Sequence, residues 1–330
     1  MTVLELAASF ILIVLGAIGF TNAVEWLGHR LNLGEGAVGA LLAAVGTALP
    51  ESTIPIVALI NGGEQAEPIA IGAIIGAPLL LGTLAMLLVV ISAKAFRSRR
   101  EQGDEVEADV RTARRDLRFF LALFALGIAV GAIGAPLGVR IATAVVLVGG
   151  YIVYATRTVR RSGDAAGEEE LKPLMFDPTK DDPPSLFAII AQFLVSLAAI
   201  IVGAELFVHV VEAIAEDLGL STLVLALVLA PIATELPEKV NSVVWRRDGK
   251  DELAVGNVTG AMTFQATIPV VFGLVLTSWD LDRFALAAAC AALAGGALAL
   301  WAVGRGRFGL APGLAWGALF GGFVVYAMTG

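Results

Sequence analysis

The chain has 330 residues, 58% of them apolar and 16% charged, with a mean hydropathy of +0.85; a soluble domain runs at about 45–50% apolar and about 25% charged, so a soluble two-domain protein is excluded. A net charge of −8, with lysines and arginines scattered through loops and no aromatics between them, gives a nucleic acid nothing to bind. Half of the charged side chains fall in two stretches, 94–118 and 157–182, which reads as a polytopic membrane protein with two polar loops.

Taken in chain order at about 20 apolar residues per crossing, ten segments appear: 3–26, 36–60, 67–93, 117–137, 138–157, 185–213, 219–245, 251–277, 281–303 and 308–329. The first is not a cleavable signal, because Glu5 stands where a cation is expected and no small-x-small site follows. Trp26, Trp245, Trp279 and Trp301 fall at segment ends, where an interfacial belt places them. Cys290, in an Ala/Leu run, reads as a small buried hydrophobe. His29 and His209 cannot build an HExxH-type zinc site. Alternate connections, beginning with the first, hold 19 of the 22 lysines and arginines. By the positive-inside rule those connections are cytoplasmic and both termini are outside. The acidic turns at Glu64/Glu67 and Glu212/Glu216/Asp217 then face outward. The expected location is a plasma membrane, of the prokaryotic inner-membrane kind.

The chain also repeats itself. A shift of 187 residues lays Gly16 on Gly203, Phe20 on Phe207, and Thr47-x-Leu49-Pro50-Glu51 on Thr234-x-Leu236-Pro237-Glu238. After a slip of three, Ala70-Ile71-Gly72-x-x-x-Gly76-Ala77 matches Ala254-Val255-Gly256-x-x-x-Gly260-Ala261. The expected fold is therefore all-α, with ten transmembrane helices arranged as two five-helix repeats, 1–157 and 185–330, joined by a cytoplasmic linker at 158–184. Five crossings are an odd number, so the second repeat enters from the other side. Inverted repeats of this kind build a midplane site between two halves.

Each matched motif sets a proline and a glutamate inside a hydrophobic span. Proline withholds a donor from the carbonyl four residues back, here that of Gly46 (by Pro50) and Ala233 (by Pro237), so both prolines are expected to break their helices. Pro55 acts in the same way on the carbonyl of Glu51, and Pro231 adds a second break in the later half. Carbonyl oxygens freed in hydrocarbon need a partner such as a cation. Glu51 and Glu238 supply charge, and Thr47 and Thr234 supply hydroxyl oxygens. Hard divalent ions such as Ca²⁺ want several oxygen ligands, carboxylates among them. A carboxylate at mid-membrane costs about 2.5–3.5 kcal/mol on insertion scales, which makes it functional by default. Gly72, Gly76, Gly256 and Gly260 would let the following spans pack closely against the broken helices.

These motifs resemble the α-repeats of the cation/Ca²⁺ exchanger superfamily, its sodium/calcium exchanger branch in particular. That family reads Gly-Thr-Ser-Leu-Pro-Glu on one helix and Gly-Asn-x-x-Gly-Ser-Asn on the next. The counterparts here lie within 46–81 (Gly46 to Glu51, then Gly72 to Pro78) and 233–265 (Ala233 to Glu238, then Gly256 to Met262). The resemblance implies alternating-access antiport, most readily of Ca²⁺ against Na⁺ or H⁺, with Glu51 and Glu238 as central carboxylate ligands and no resident cofactor. The family's serines, which help to bind Na⁺, are replaced by Ala48, Ala77 and Ala261, while Glu235 takes the fourth serine position. Four residues after the second-motif serines, where the family offers a polar or acidic side chain, stand Leu81 and Gln265.

Glu235 brings the carboxylates to three and lies on one helical face with Glu238. Either Lys239, four residues on, neutralises it, or it serves as a ligand or proton carrier. Glu25, Glu205, His209 and Glu212, in the spans leading into each motif, read first as interfacial or bundle-facing polar residues. The rival to antiport is a non-transporting sensor or scaffold descended from an exchanger. No nucleophile–base pair supports an enzyme. The expected partners are inorganic cations and the bilayer, and the sequence is silent on oligomeric state.

Overall fold

The computed structural model describes residues 2–30, 51–99, 103–162, 172–177, 184–247 and 249–329, without the side chains of 2, 28, 99, 159–162, 236–242 and 244–247. Gly46, Thr47, Ala48 and Pro50 therefore lie outside the described residues, as do the side chains of Pro237, Glu238 and Lys239. Ten helices run through what is described: α1 (Thr2–Arg30), α2 (Glu51–Asn61), α3 (Ala66–Ala95), α4 (Val110–Ala132), α5 (Leu137–Ser162), α6 (Leu186–Leu218), α7 (Thr222–Arg247), α8 (Asp251–Leu276), α9 (Arg283–Val303) and α10 (Leu310–Thr329). Seven of them (α1, α3, α5, α6, α8, α9, α10) are long and apolar enough to cross a membrane. The first two turns of α4 are arginine-rich, which shortens its apolar run, and the apolar stretches described in α2 and α7 are shorter, Glu51–Asn61 and Thr222–Glu235. One small ribbon departs from the all-helical expectation: β1 (Val106–Glu107) pairs antiparallel with β2 (Arg307–Phe308), Val106 opposite Phe308.

Among the described residues, glycines line two of the most extensive helix contacts, α1 with α6 and α3 with α7. A Cβ on Gly16 would lie 2.8 Å from Ile200 Cγ1, and one on Gly203 would lie 2.9 Å from Ile13 Cγ1. On α3, a Cβ at Gly72 would stand 2.7 Å from Ala226 Cβ, and one at Gly76 2.7 Å from Pro231 Cγ. Only small residues permit backbones this near. The expectation for Gly72 and Gly76 therefore holds. Gly256 and Gly260 differ: the nearest described atom is Tyr154 Oη, 3.7 Å from a Cβ on Gly260. The front part of their expected neighbour, 36–50, is outside the description.

The larger core joins α3, α4, α8, α9 and α10 around Phe120, Phe124, Met262, Trp279 and Trp316. Trp279 thus belongs to the interior and not to an interfacial belt; it is 1% exposed and its Nε1 donates to the Gly127 carbonyl at 3.0 Å. Cys290 is likewise corrected, because it is exposed. The buried stripe of α9 runs through Ala285, Ala288, Ala289, Ala292 and Gly295 at helical spacing, which turns Cys290 to the opposite face. Residues 172–177 of the linker are held against α1 and α6. Trp26 Nε1 donates to the Lys172 carbonyl at 2.9 Å, and the fully buried Gln192 accepts from the Phe176 amide at 3.0 Å.

Candidate functional site

Two helices that carry glutamates meet a third that carries an amide. Glu51 opens the described part of α2 and is 7% exposed, while Glu235 lies on α7 with no exposure. Gln265, on α8, is 1% exposed. Its Nε2 donates to Glu51 Oε2 and, at 3.3 Å, to Glu235 Oε1. One amide nitrogen therefore bridges carboxylates from opposite halves of the chain. Ser52 and Thr53, directly after Glu51, are buried hydroxyls that the motif comparison did not single out.

The backbone explains how Gln265 reaches this point. The first part of α8 ends at Gln265, turns through Ala266 and Thr267, and resumes as Ile268–Leu276 with Pro269 in its first turn. In the first repeat the matching position, Leu81, opens a π-helical turn, Leu81–Ala85, three residues after Pro78. Irregular turns of this kind re-aim side chains and cluster at functional positions. The helix interruptions therefore fall on α3 and α8. The break expected at Pro237 is not found as a helix end, since α7 is continuous from Thr222 to Arg247 through Pro231 and Pro237. A proline inside a continuous helix still withholds its amide donor, here from the carbonyl of the fully buried Ala233. The Thr234 hydroxyl, 6% exposed, donates back to the Ala230 carbonyl at 3.3 Å, which directs its oxygen lone pairs away from that bond.

The expected site residues therefore divide into two groups. Glu51, Glu235 and Gln265 are brought together, with Ala233 and Thr234 on the same helix as Glu235. Gly46, Thr47 and Pro50, and the side chains of Glu238 and Pro237, are outside the described residues, so a third carboxylate is not described. Glu205 and His209 are exposed on α6, outside the bundle interior.

A second buried polar cluster was not anticipated. Asp116, on α4 and 1% exposed, pairs with Arg115 at 3.0 Å and accepts from Thr259 Oγ1 at 3.0 Å. Its backbone carbonyl accepts from Thr263 Oγ1 at 3.0 Å. Both threonines precede Gln265 on α8, so the helix that presents the amide is tied to α4 by hydroxyl bonds. The one signal was an aspartate at a segment edge among four arginines, which reads as loop charge.

The two acidic turns expected on one side of the membrane meet, Asp217 excepted, around one recess. Glu64, Glu67, Glu212 and Glu216 join Asp280 and Asp282 around a recess of about 910 Å³ with no lysine or arginine in its lining. Two hydrogen bonds close its rim between the halves: Thr222 Oγ1 to Gln65 Oε1 at 2.5 Å, and Ser278 Oγ to Glu67 Oε2 at 2.7 Å. Six carboxylates around one concavity raise the local concentration of cations.

Comparison with known proteins bears on the family and the fold. The family model described as "Sodium/calcium exchanger protein" matches residues 1–159 and 188–329. The chain is 22% identical over 277 residues to the putative antiporter CaxA of Alkalimonas amylolytica, covering 83% of this chain and 81% of that protein. The crystal structure of the H⁺/Ca²⁺ exchanger CAX superposes with a TM-score of 0.72 at 17% identity, over 99% of this chain and 86% of that one. The sodium-calcium exchanger NCX_Mj gives a TM-score of 0.61 at 21% identity, over 98% and 97%.

Proposed function

This chain belongs to the sodium/calcium exchanger protein family, and on that premise we propose that it is a membrane antiporter that moves a divalent cation, Ca²⁺ first among them, in exchange for protons. The observation that carries the reading is the bridge from Gln265 to Glu51 and Glu235. Two buried carboxylates held by one amide repel each other unless a positive charge or a proton lies between them. In the cation-free state the Gln265 amide partly fills that role. A Ca²⁺ ion entering between the glutamates takes it over, and Gln265 turns its carbonyl oxygen to the ion, since an amide carries both a donor and an acceptor end. The Thr234 hydroxyl and the Ala233 carbonyl complete an all-oxygen shell of the kind Ca²⁺ prefers. Glu238 joins this shell from the next turn of α7.

Protons fit the return half-cycle better than Na⁺. The serines whose hydroxyls help to bind Na⁺ in the resembled motif are replaced by Ala48, Ala77 and Ala261, and the fourth such position is occupied by Glu235 itself. A proton on each carboxylate neutralises the charge that the cation neutralises on the outward trip. The name of CAX, an H⁺/Ca²⁺ exchanger, agrees with this choice, and that of NCX_Mj, a sodium-calcium exchanger, with its rival.

The architecture proposed is ten membrane-spanning helices in two inverted five-helix repeats, 1–157 and 185–330, with 158–184 and the four other basic connections cytoplasmic and both termini outside. Support comes from the reciprocal contact of α1 and α6: Gly16 meets Ile200 as Gly203 meets Ile13, and both pairs are related by the same 187-residue shift. Alternating access then exposes the site first to the acidic recess and then to the opposite face, in a prokaryotic inner membrane. Flux of ⁴⁵Ca²⁺ into proteoliposomes tests the coupling. An outwardly directed proton gradient should drive uptake where an equal Na⁺ gradient does not; the reverse result would replace H⁺ by Na⁺, and no response to either would end the antiport reading.

A further inference from the structure

At the end of the molecule opposite the acidic recess, α4 carries arginines at 111, 114, 115 and 118, a spacing that sets them on one helical face. Across from them stands Arg157 near the end of α5, and the five line a recess of about 550 Å³ together with Phe119. Like charges so close repel, and the local acids answer only part of the charge. Asp116 pairs with Arg115, whose guanidinium also lies 5.4 Å from the Tyr154 ring centre. Arg114 donates to the Gly304 carbonyl at 3.3 Å. Asp109 is engaged in capping α4. Among the described residues Arg118 and Arg157 have no ion-pair partner, and both are exposed.

The surroundings select the counter-ion. One turn back from Arg157, Ile152 and Val153 are 55% and 43% exposed, and Val145 and Val146 continue the apolar outer face of α5. The recess therefore lies where a strongly basic surface passes into one that only hydrocarbon would cover. We propose that it is a binding site for an anionic phospholipid of the cytoplasmic leaflet, its phosphate held by Arg118 and Arg157 and its acyl chains lying along Val146, Ile152 and Val153. Guanidinium forks match phosphate oxygens in pairs, and anionic headgroups are concentrated at that face of a membrane. The site rests on the proposed membrane orientation and not on the ion transported. Its occupant braces α4, which holds α8 through Asp116, Thr259 and Thr263.

The test is native mass spectrometry of the purified full chain in detergent, with phosphatidylglycerol or phosphatidylcholine added at equal concentration, beside melting temperatures under the same additions. The parent should retain phosphatidylglycerol about tenfold more than phosphatidylcholine and melt higher with it. Arg118→Gln/Arg157→Gln should lose both effects while melting unchanged without lipid. Arg118→Lys/Arg157→Lys, which keeps the charge but not the fork, should retain part of the preference. Equal retention of the two lipids by the parent, or an undiminished preference in the Gln variant, would overturn the proposal. So would an equal rise in melting temperature with inorganic phosphate, which would make this a free-anion site. A preference that emerges only after Glu168, Glu169 and Glu170 are changed to Gln would also overturn it, by assigning the recess to the chain's own linker. None of these readouts involves flux, so they stand apart from the antiport assignment.

Discussion

Gln265 donates a hydrogen bond to Glu51 across 214 residues of sequence, and the same nitrogen reaches Glu235 at 3.3 Å. That relationship converts two isolated acids into one site and orders the effects of substitution. Glu51→Gln and Glu235→Gln each remove a charged oxygen ligand, so ⁴⁵Ca²⁺ uptake should fall roughly 100-fold or more. Gln265→Ala removes a neutral ligand and should raise the Ca²⁺ concentration for half-maximal uptake by about tenfold. Uptake in Glu235→Gln at the parent's rate would instead leave Glu235 as the structural partner of Lys239.

The close approach of α3 to α7 makes a second prediction. A side chain at Gly76 meets Pro231 and the backbone of Leu227, neither of which can retreat along a flexible chain. Gly76→Val should therefore destabilise by about 1–3 kcal/mol, the usual cost of overpacking, and lower the melting temperature in detergent. Gly149→Ala on α5 is the comparison, because a Cβ there meets nothing within 4 Å. It should be neutral or stabilising by up to about 1 kcal/mol, through helix propensity alone.

A third prediction concerns the start of α4. Asp109 caps that helix, its Oδ1 accepting from the amides of Arg111 and Thr112 at 3.0 and 3.3 Å. The hydroxyl of Thr112, donating to Oδ2 at 2.5 Å, holds the carboxyl below the ordinary aspartate range, with the backbone amides and Arg111 adding to the effect against a partial burial penalty. A lowered carboxyl stabilises the fold above its unfolded-state value, and that contribution disappears as pH falls through the folded value. Asp109→Ala should cost about 1 kcal/mol at neutral pH. The gap between variant and parent, followed by thermal unfolding, should close as the pH is taken below the aspartate range.

How much of this was legible in the sequence follows from what hydrophobicity encodes. Glu51 and Glu235 stood out because a carboxylate inside an apolar span is costly, and Gln265 through its place in the resembled motif. The rotation of a helix that is apolar all round is not written in its periodicity, because core and lipid are equally greasy. For that reason the sequence puts Cys290 on the wrong face of α9; Trp279 differs, since it lies in the loop between α8 and α9 and turns inward to donate to the Gly127 carbonyl. Asp116 was hidden by its neighbours, since a stretch with arginines at 111, 114, 115 and 118 reads as a solvated loop until α4 and α8 are seen to pack. The breaks expected at the motif prolines are not where the irregular turns fall: α7 continues through Pro231 and Pro237, Pro50 lies outside the described residues, and the turns stand at Leu81, after Pro78, and at Gln265, before Pro269.

The repeat supplies the last prediction, because symmetry demands equal outcomes from unequal-looking sites. Gly16 lies on α1 against Ile200, and Gly203 lies on α6 against Ile13, with a would-be Cβ at 2.8 and 2.9 Å from the facing Cγ1 atoms. Each glycine also faces main-chain atoms of the opposite helix, Ser196 O at 2.9 Å and Ile13 N at 3.0 Å. Gly16→Val and Gly203→Val should therefore destabilise by similar amounts, about 1–3 kcal/mol each. Their combination should cost less than the sum, since the first substitution already forces the helices apart at the shared crossing and neighbouring changes are not additive. Thermal unfolding of the two single variants and the double variant measures this directly. Widely different single effects would mean that the α1–α6 crossing does not obey the two-fold relation that the 187-residue shift implies.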